Sequence, residues 1–125
     1  MIDHLSLGVA DLGRATAFYD AVLLPLGCVR LWTDADGAEY GPRNGQGALA
    51  LFAMGERASS PGPGFHLALT APDREAVDAF HAAALRLGAK DEGAPGLRPR
   101  YGAGYYAAFV RDPDGHRLEA VMHAA

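Results

Sequence analysis

Two segments of the chain alternate apolar residues with others at a period of two, and each carries a histidine on the face opposite its leucines. The leucine faces contain Leu5, Leu7, Leu67 and Leu69. A period of two is typical of a half-buried β-strand. If the leucines pack under helices, His4 and His66 project from the other side of their sheets.

The two strands open two copies of one longer pattern. An offset of 62 residues aligns residues 4–23 with residues 66–85, and eight of the twenty positions are identical. Because the chain is rich in alanine and leucine, matches of those residues can arise by chance. The evidence for a repeat is therefore a His, an Asp and a Phe that fall in register. These pairs are His4/His66, Asp11/Asp73 and Phe18/Phe80. A duplicated half-domain explains all three.

A helix is predicted after each strand. Asp11 and Asp73 stand where an N-cap belongs, since a short carboxylate accepts from the free amides of a first turn. The second helix carries an apolar stripe at helical spacing, formed by Val77, Phe80, Ala84 and Leu87. Gly27 and Gly88 are expected to end the two helices.

Shorter extended segments follow each helix. The first half contains predicted strands at 29–33, 39–40 and 48–54, and the second half at 89–91, 105–111 and 117–122. The pattern therefore predicts an α+β fold of two tandem βαβββ modules, at about 1–56 and 64–125, with a Gly/Pro-rich linker at about 57–63. At 125 residues the chain forms one domain. The Gly/Pro-rich segment 92–104 is long for a hairpin, so we interpret it as a substrate loop.

Charge and hydropathy exclude several classes of partner. The net charge of -4 comes from 15 acidic and 11 basic residues that do not gather in blocks. This distribution argues against nucleic-acid binding. No apolar run approaches the roughly 20 residues that span a bilayer, and Met1 opens no basic leader with an apolar signal core, so we expect no membrane partner and a cytoplasmic location.

A set of metal-ligand side chains follows from strand parity. In the last predicted strand, Glu119 lies opposite Leu118, as His4 and His66 lie opposite their leucines. Two imidazoles and one carboxylate suit Fe, Mn, Ni or Zn and leave coordination positions open for substrate oxygens.

The segments DHLSLGVADLGRATAFYDAVL, FHLALTAPDREAVDAF and YYAAFVRDPDGHRLEAV together resemble the vicinal-oxygen-chelate superfamily of glyoxalases, bleomycin-resistance proteins and extradiol dioxygenases. The stretch around GAPGLRPRYGAG is similar to a bacterial glyoxalase-like subgroup. The resemblance implies that the two modules form a curved mixed-sheet cup. It also implies a divalent metal ion held by His4, His66 and Glu119.

At one ligand position this sequence departs from the pattern of the family. Glyoxalase I members of the superfamily carry a fourth ligand at the symmetry mate of Glu119, on the last strand of the first half. Here the alignment places Leu49 or Leu51 in that position. The plain offset of 62 leads to position 57, next to Glu56, and Glu56 has the wrong strand parity. Three protein ligands fit the extradiol dioxygenases and the fosfomycin-type thiol transferases at least as well as glyoxalase I.

Further side chains are candidates for substrate contact. Guanidinium groups pair with carboxylates, and a phenol can donate to a developing oxyanion. The substrate-binding candidates are Arg98, Arg100, Tyr101 and Trp32, and the catalytic candidates are Glu119, Tyr105 and Tyr106. The two adjacent tyrosines must face opposite ways in a strand, and parity leaves open which of them faces the site. We expect His81 to be a surface or satisfied core residue and His116 to be exposed.

These features predict a glyoxalase-like metal-dependent enzyme in which the ion chelates adjacent oxygens of a small-molecule substrate. The reaction is left open among lyase or isomerase, dioxygenase and thiol-transferase types, and true glyoxalase I activity is not expected. The alternative is a metal-free protein of the bleomycin-resistance type that binds or sequesters a small molecule. The resemblance and the open sheet edges also predict a homodimer.

Overall fold

Each half of the chain folds as a βαβββ unit, in agreement with the sequence. The computed structural model describes residues 1–124 of the 125. The first unit comprises β1 (Leu5–Val9), α1 (Leu12–Leu23), β2 (Cys28–Thr33), β3 (Gly37–Pro42) and β4 (Leu49–Ala53). The second comprises β5 (Leu67–Thr70), α2 (Arg74–Arg86), β6 (Lys90–Leu97), β7 (Tyr105–Arg111) and β8 (Arg117–His123). Short 3-10 turns at Leu24–Leu26 and Gly55–Arg57 follow α1 and β4.

Each unit builds its own four-stranded sheet. The strand orders are β1-β4-β3-β2 and β5-β8-β7-β6, so the two sheets have the same topology. In each, the first strand runs parallel to the last and the other pairs are antiparallel. The helix supplies the crossover that a parallel pair needs. The fold is therefore the predicted α+β arrangement with two mixed sheets.

The helices begin where the capping residues predict. The Asp11 carboxylate accepts from the Arg14 amide at 3.0 Å, and Asp73 accepts from the Ala76 amide at 2.8 Å. Each such cap contributes about 1 kcal/mol. Gly88 follows α2 with a φ of 93°, a conformation that favours glycine. Neither α-helix described in residues 1–124 is long and apolar enough to cross a membrane.

The core lies between the two helices and the inner faces of the two sheets. Phe18 of α1 and Phe80 of α2 are fully buried, and both belong to one apolar cluster with Leu51 and Leu118 from the two sheets. Because the helices cover one face of each sheet, the opposite faces carry no helix. We call these the open faces of the first and second modules.

The turn between β7 and β8 joins the two modules. The Asp114 carboxylate accepts from the Ala10 amide at 2.9 Å and from Arg14 at 3.2 Å. Tyr19 of α1 donates to Asp112 at 2.5 Å. Burial raises the pKa of Asp112, and burial together with the Asp112 charge raises the pKa of Tyr19 well above its usual value. The turn therefore holds the start of β8 against β1 and α1.

One segment differs from the sequence expectation. The prediction of a continuous loop over residues 92–104 is wrong, because β6 runs to Leu97 and pairs with β7. The pairing shifts register around Gly93 and Gly96. Bulges of this kind let an edge strand continue through a Gly/Pro-rich sequence that has no regular alternation.

Candidate metal centre

Glu119 is the buried centre of the second module's open face. It lies in β8 between Leu118 and Ala120, which point into the core, so its own side chain points to the open face. One carboxylate oxygen is 2.9 Å from Nε2 of His66, and the hydroxyl of Tyr105 donates to the other. Glu119 is only 1 % exposed, whereas the His66 side chain is 50 % exposed. The carboxylate is thus held rigidly beside an imidazole that solvent can reach.

Strand register brings these three residues together. His66 immediately precedes β5, and Ala68 of β5 pairs with Glu119 of β8. Tyr105 opens β7, which is the other neighbour of β8. Burial and the hydrogen bond to Glu119 raise the pKa of Tyr105 to about 12. The phenol therefore stays protonated at neutral pH and remains a donor to the carboxylate.

Tyr106 points to the other side of β7. Its hydroxyl donates to Asp78 of α2 at 2.7 Å, and the Arg74 guanidinium lies 5.0 Å from the centre of its ring. The structure thus separates the two adjacent tyrosines that sequence parity left open. Tyr105 lies beside Glu119, and Tyr106 packs on the helix side, away from the predicted ligands.

Arg98 extends over the same open face. Its guanidinium lies 5.4 Å from the ring centre of Phe109, which pairs with Glu119 across the β7 and β8 strands. A Cβ added at Gly93 or Gly96 would lie 3.2 Å from a guanidinium nitrogen. The glycines of β6 therefore clear the space that Arg98 occupies. One terminal nitrogen donates to the Ala94 carbonyl at 2.8 Å and the other to the Leu97 carbonyl at 3.5 Å, and the guanidinium has further N–H groups that can bind a ligand.

A cavity of about 440 Å³ adjoins His66 on this face. Its lining includes His66, Glu92, Tyr101, Phe109 and Arg117. The predicted substrate contact Tyr101 thus lies at the cavity. Arg100 lies outside this lining and stacks on the Tyr101 ring at 5.1 Å.

His4 does not join this group within one chain. It precedes β1 in the first module, its side chain is 56 % exposed, and its Nδ1 lies 2.6 Å from Asp3. Within residues 1–124, no three His, Cys, Asp or Glu side chains are arranged to hold a metal ion. The single chain therefore unites two of the three predicted ligands. An imidazole and a carboxylate at hydrogen-bond distance are donors of the right chemistry for a divalent ion.

The symmetry mate of Glu119 is neither leucine that the alignment suggested. Glu119 pairs with Ala68 of β5, and the corresponding pair in the first module joins Ser6 to Ala50. Leu49 and Leu51 point into the core instead. The position is apolar, as expected, but it belongs to Ala50. Glycines in the loop before β4 do not align with those of the β7–β8 turn, which is why the sequence comparison slipped by one residue.

The first module's open face is mostly apolar. Trp32 and Phe52 are 47 % and 38 % exposed and, together with Glu39 and Ala50, line a cavity of about 350 Å³. The predicted substrate contact Trp32 therefore belongs to this face and lies in a different module from His66.

Two other histidines have structural surroundings. His81 is buried and lies 3.0 Å from Asp91, which confirms the expectation of a satisfied core residue. The expectation that His116 is exposed is wrong, because it is 1 % exposed and contacts Gly8 of β1.

Sequence reasoning also missed Phe109 and Glu39 on the open faces. For Phe109 the signal was available, since it shares strand parity with Tyr105.

Comparison with known proteins identifies the family of this chain. The profile of the Glyoxalase/Bleomycin resistance protein/Dioxygenase superfamily matches residues 1–120. The chain belongs to this superfamily. A glyoxalase/bleomycin resistance protein from Albidiferax ferrireducens T118 is 32 % identical, with a TM-score of 0.83 and 97 % of each chain covered.

More distant solved structures share the fold. A glyoxalase-related enzyme from Fulvimarina pelagi is 20 % identical, with a TM-score of 0.73 over 98 % of this chain and 88 % of that one. The fosfomycin resistance protein FosX from Listeria monocytogenes is 17 % identical, with a TM-score of 0.71 over 99 % and 93 %. A search of curated proteins found no significant match. The superfamily includes enzymes, and its fold alone does not specify a reaction.

Proposed function

We propose that this superfamily member is a glyoxalase-like metal-dependent enzyme that acts on a small molecule with two adjacent oxygens. His4, His66 and Glu119 would hold a divalent ion of Fe, Mn, Ni or Zn. When bound, the ion supplies Lewis-acid stabilisation of charge that develops on the substrate oxygens. The reaction belongs to the lyase or isomerase, dioxygenase or thiol-transferase types, and the apolar residue at the fourth family position disfavours glyoxalase I.

The environment of Glu119 is the observation that carries this proposal. A carboxylate that is almost fully buried on an otherwise open sheet face is costly unless it has partners. Tyr105 occupies one of its oxygens and His66 lies at the other. Tyr105 thus orients the carboxylate, as the outer partners of metal ligands do. The exposed imidazole of His66, which lines the cavity, is the second donor beside it.

We propose that a second copy of the chain supplies His4. The two open faces belong to different modules, and each lacks a cover within its own chain. Apposing the first module's open face with the second module's open face of a partner subunit would bury Trp32 and Phe52. It would also place a histidine from one subunit against His66 and Glu119 of the other, with twofold symmetry producing two equal sites.

The surroundings of the site favour an anionic substrate with a flat apolar part. Arg98 and Arg117 place positive charge near His66, and guanidinium groups bind carboxylates and phosphates in a bidentate manner. Phe109 and Tyr101 offer ring surfaces within the same cavity. Arg100 would contribute at the rim through its position on Tyr101.

A metal-free binding protein of the bleomycin-resistance type is the second candidate. The direct contact between His66 and Glu119 favours it, because the two side chains satisfy each other without an ion. In that case the open faces of the two subunits would enclose the ligand, and the guanidinium groups of Arg98 and Arg117 would provide the affinity.

Elemental analysis after growth with added Fe, Mn, Ni and Zn tests the two candidates. We expect the wild-type protein, purified without a His tag, to retain metal, and Glu119→Gln to lose at least about tenfold in affinity while remaining folded. His4→Ala and His66→Ala should lose metal in the same way, whereas His81→Ala serves as the matched control and should retain it. Equal metal in wild type and Glu119→Gln, or none in any sample, would reject the enzyme proposal in favour of the binding protein.

A further inference from the structure

We infer that Glu39 of β3 is a fourth protein ligand of the metal, replacing the carboxylate that is absent at Ala50. This inference rests on the proposed metal site. Glu39 lies on β3, the neighbour of β4, and β4 carries Ala50, the symmetry mate of Glu119.

The register places Glu39 directly beside the missing position. Glu39 pairs with Ala50 across β3 and β4, so both side chains project from the first module's open face. Opposed side chains in such a pair have Cβ atoms about 5 Å apart. The methyl group of Ala50 leaves that distance unfilled, and the longer glutamate side chain can extend across it.

Gly47 shows where the carboxyl group lies. A Cβ added at Gly47 would lie 2.1 Å from Cδ and 2.2 Å from Oε1 of Glu39. The carboxyl group therefore occupies space that exists only because residue 47 has no side chain. The neighbouring Ala48 carbonyl accepts from the Leu5 amide at 2.9 Å, which sets this segment beside the start of β1. Glu39 thus leans toward the end of the sheet at which His4 projects.

The carboxylate has no partner within the described chain. Among residues 1–124, no hydrogen bond or salt bridge involves the Glu39 side chain, although Glu39 is half-buried and lines the same cavity as Trp32 and Phe52. A carboxylate in apolar surroundings is costly unless a cation or a donor meets it. In the shared site that cation would be the metal ion, which His4 approaches from the same module.

The test is a Co²⁺ titration of the metal-free protein, followed by visible absorption, which reports both affinity and ligand number. Glu39→Gln should lower Co²⁺ affinity at least about tenfold and change the spectrum. Glu56→Gln, on an exposed turn of the same module, is the matched control and should change neither. Gly47→Ala should weaken Co²⁺ binding with Glu39 still present, because the new methyl group displaces the flexible Glu39 side chain from Cγ outward.

A carboxylate moved to the neighbouring strand provides the rescue. The double variant Glu39→Gln/Ala50→Glu should regain most of the Co²⁺ affinity, with circular dichroism confirming its fold. Unchanged affinity and spectrum in Glu39→Gln would overturn the inference, and a weakened dimer in that variant would assign Glu39 to an ion pair between subunits. If Glu39→Gln binds Co²⁺ normally but Glu119→Gln does not, the inference about Glu39 fails and the proposed metal site stands. No Co²⁺ binding by the wild type would reject both proposals.

Discussion

The imidazole of His116 donates from Nε2 to the carbonyl oxygen of Gly8, 2.8 Å away, and links the start of β8 to β1 across 108 residues of sequence. The proton lies on Nε2 because a carbonyl oxygen can only accept. The other ring nitrogen is buried without a hydrogen-bond partner among the described residues. This contact holds the strand that carries Glu119 against the strand that follows His4, so it stabilises the junction between modules.

Replacing His116 should destabilise the fold through that junction. We expect His116→Ala to lower the free energy of unfolding by about 2–4 kcal/mol, because it creates a cavity and leaves the Gly8 carbonyl without its donor. Urea denaturation measures the loss. His123→Ala, at an exposed position near the end of β8, should change stability by no more than about 0.5 kcal/mol. Equal effects of the two substitutions would contradict this role for His116.

Ionisation of Tyr19 should lower the stability of the folded protein at alkaline pH. Its pKa in the folded protein is raised by burial and by Asp112, while in the unfolded chain a tyrosine ionises near about 10. A raised folded pKa stabilises the protein below the unfolded value and loses that contribution as pH rises toward the folded value. We therefore expect the free energy of unfolding to fall above pH of about 10, by up to about 1.4 kcal/mol per pH unit for this group.

Denaturant titrations between neutral and alkaline pH measure this slope. Tyr19→Phe should be less stable at pH 7, because Asp112 loses a donor, but its stability should decline less steeply above pH of about 10. The same slope in variant and wild type would assign the alkaline loss to other groups.

Subunit mixing tests whether the metal site is shared. If His4 comes from one subunit and Glu119 from the other, a mixed dimer of His4→Ala and Glu119→Gln chains contains one intact site and one doubly altered site. Random reassortment of equal amounts should then restore about a quarter of wild-type metal binding, although neither parent variant binds. Metal analysis after co-refolding gives the result. A site contained within one chain would show no recovery.

The open face of the first module predicts which substitution breaks the dimer. Light scattering should give twice the 13.1 kDa chain mass for the wild type. Phe52→Asp should shift the protein toward monomer and weaken metal binding together, because a charge would be buried where the subunits meet. Leu24→Asp alters an equally apolar exposed side chain outside the open faces and should remain dimeric. If the wild type is a monomer at tens of micromolar, roughly the concentration of ordinary assays, two subunits cannot share the metal site.

Local periodicity predicted much of the fold. The alternation in residues 2–9 and the caps at Asp11 and Asp73 depend only on near neighbours in sequence. The structure confirms both caps and a strand over Leu5–Val9, the later part of the alternating segment. The edge strand β6 was predicted only at its start, over 89–91, because its glycine bulges erase alternation further on and its hydrogen bonds come from β7. The duplicated pattern also made the two-module organisation visible without any knowledge of contacts.

The sequence by itself determined which residue types share a strand face, because side chains alternate along any extended backbone. It therefore placed Glu119 opposite Leu118, and it required Tyr105 and Tyr106 to point apart. Only the tertiary structure decided which of the two tyrosines meets Glu119, that Ala50 is the symmetry mate, and that His4 stays apart from the His66–Glu119 pair within one chain. Those outcomes depend on the register between strands and on the helix packing that joins the modules, which are long-range contacts that no local period encodes.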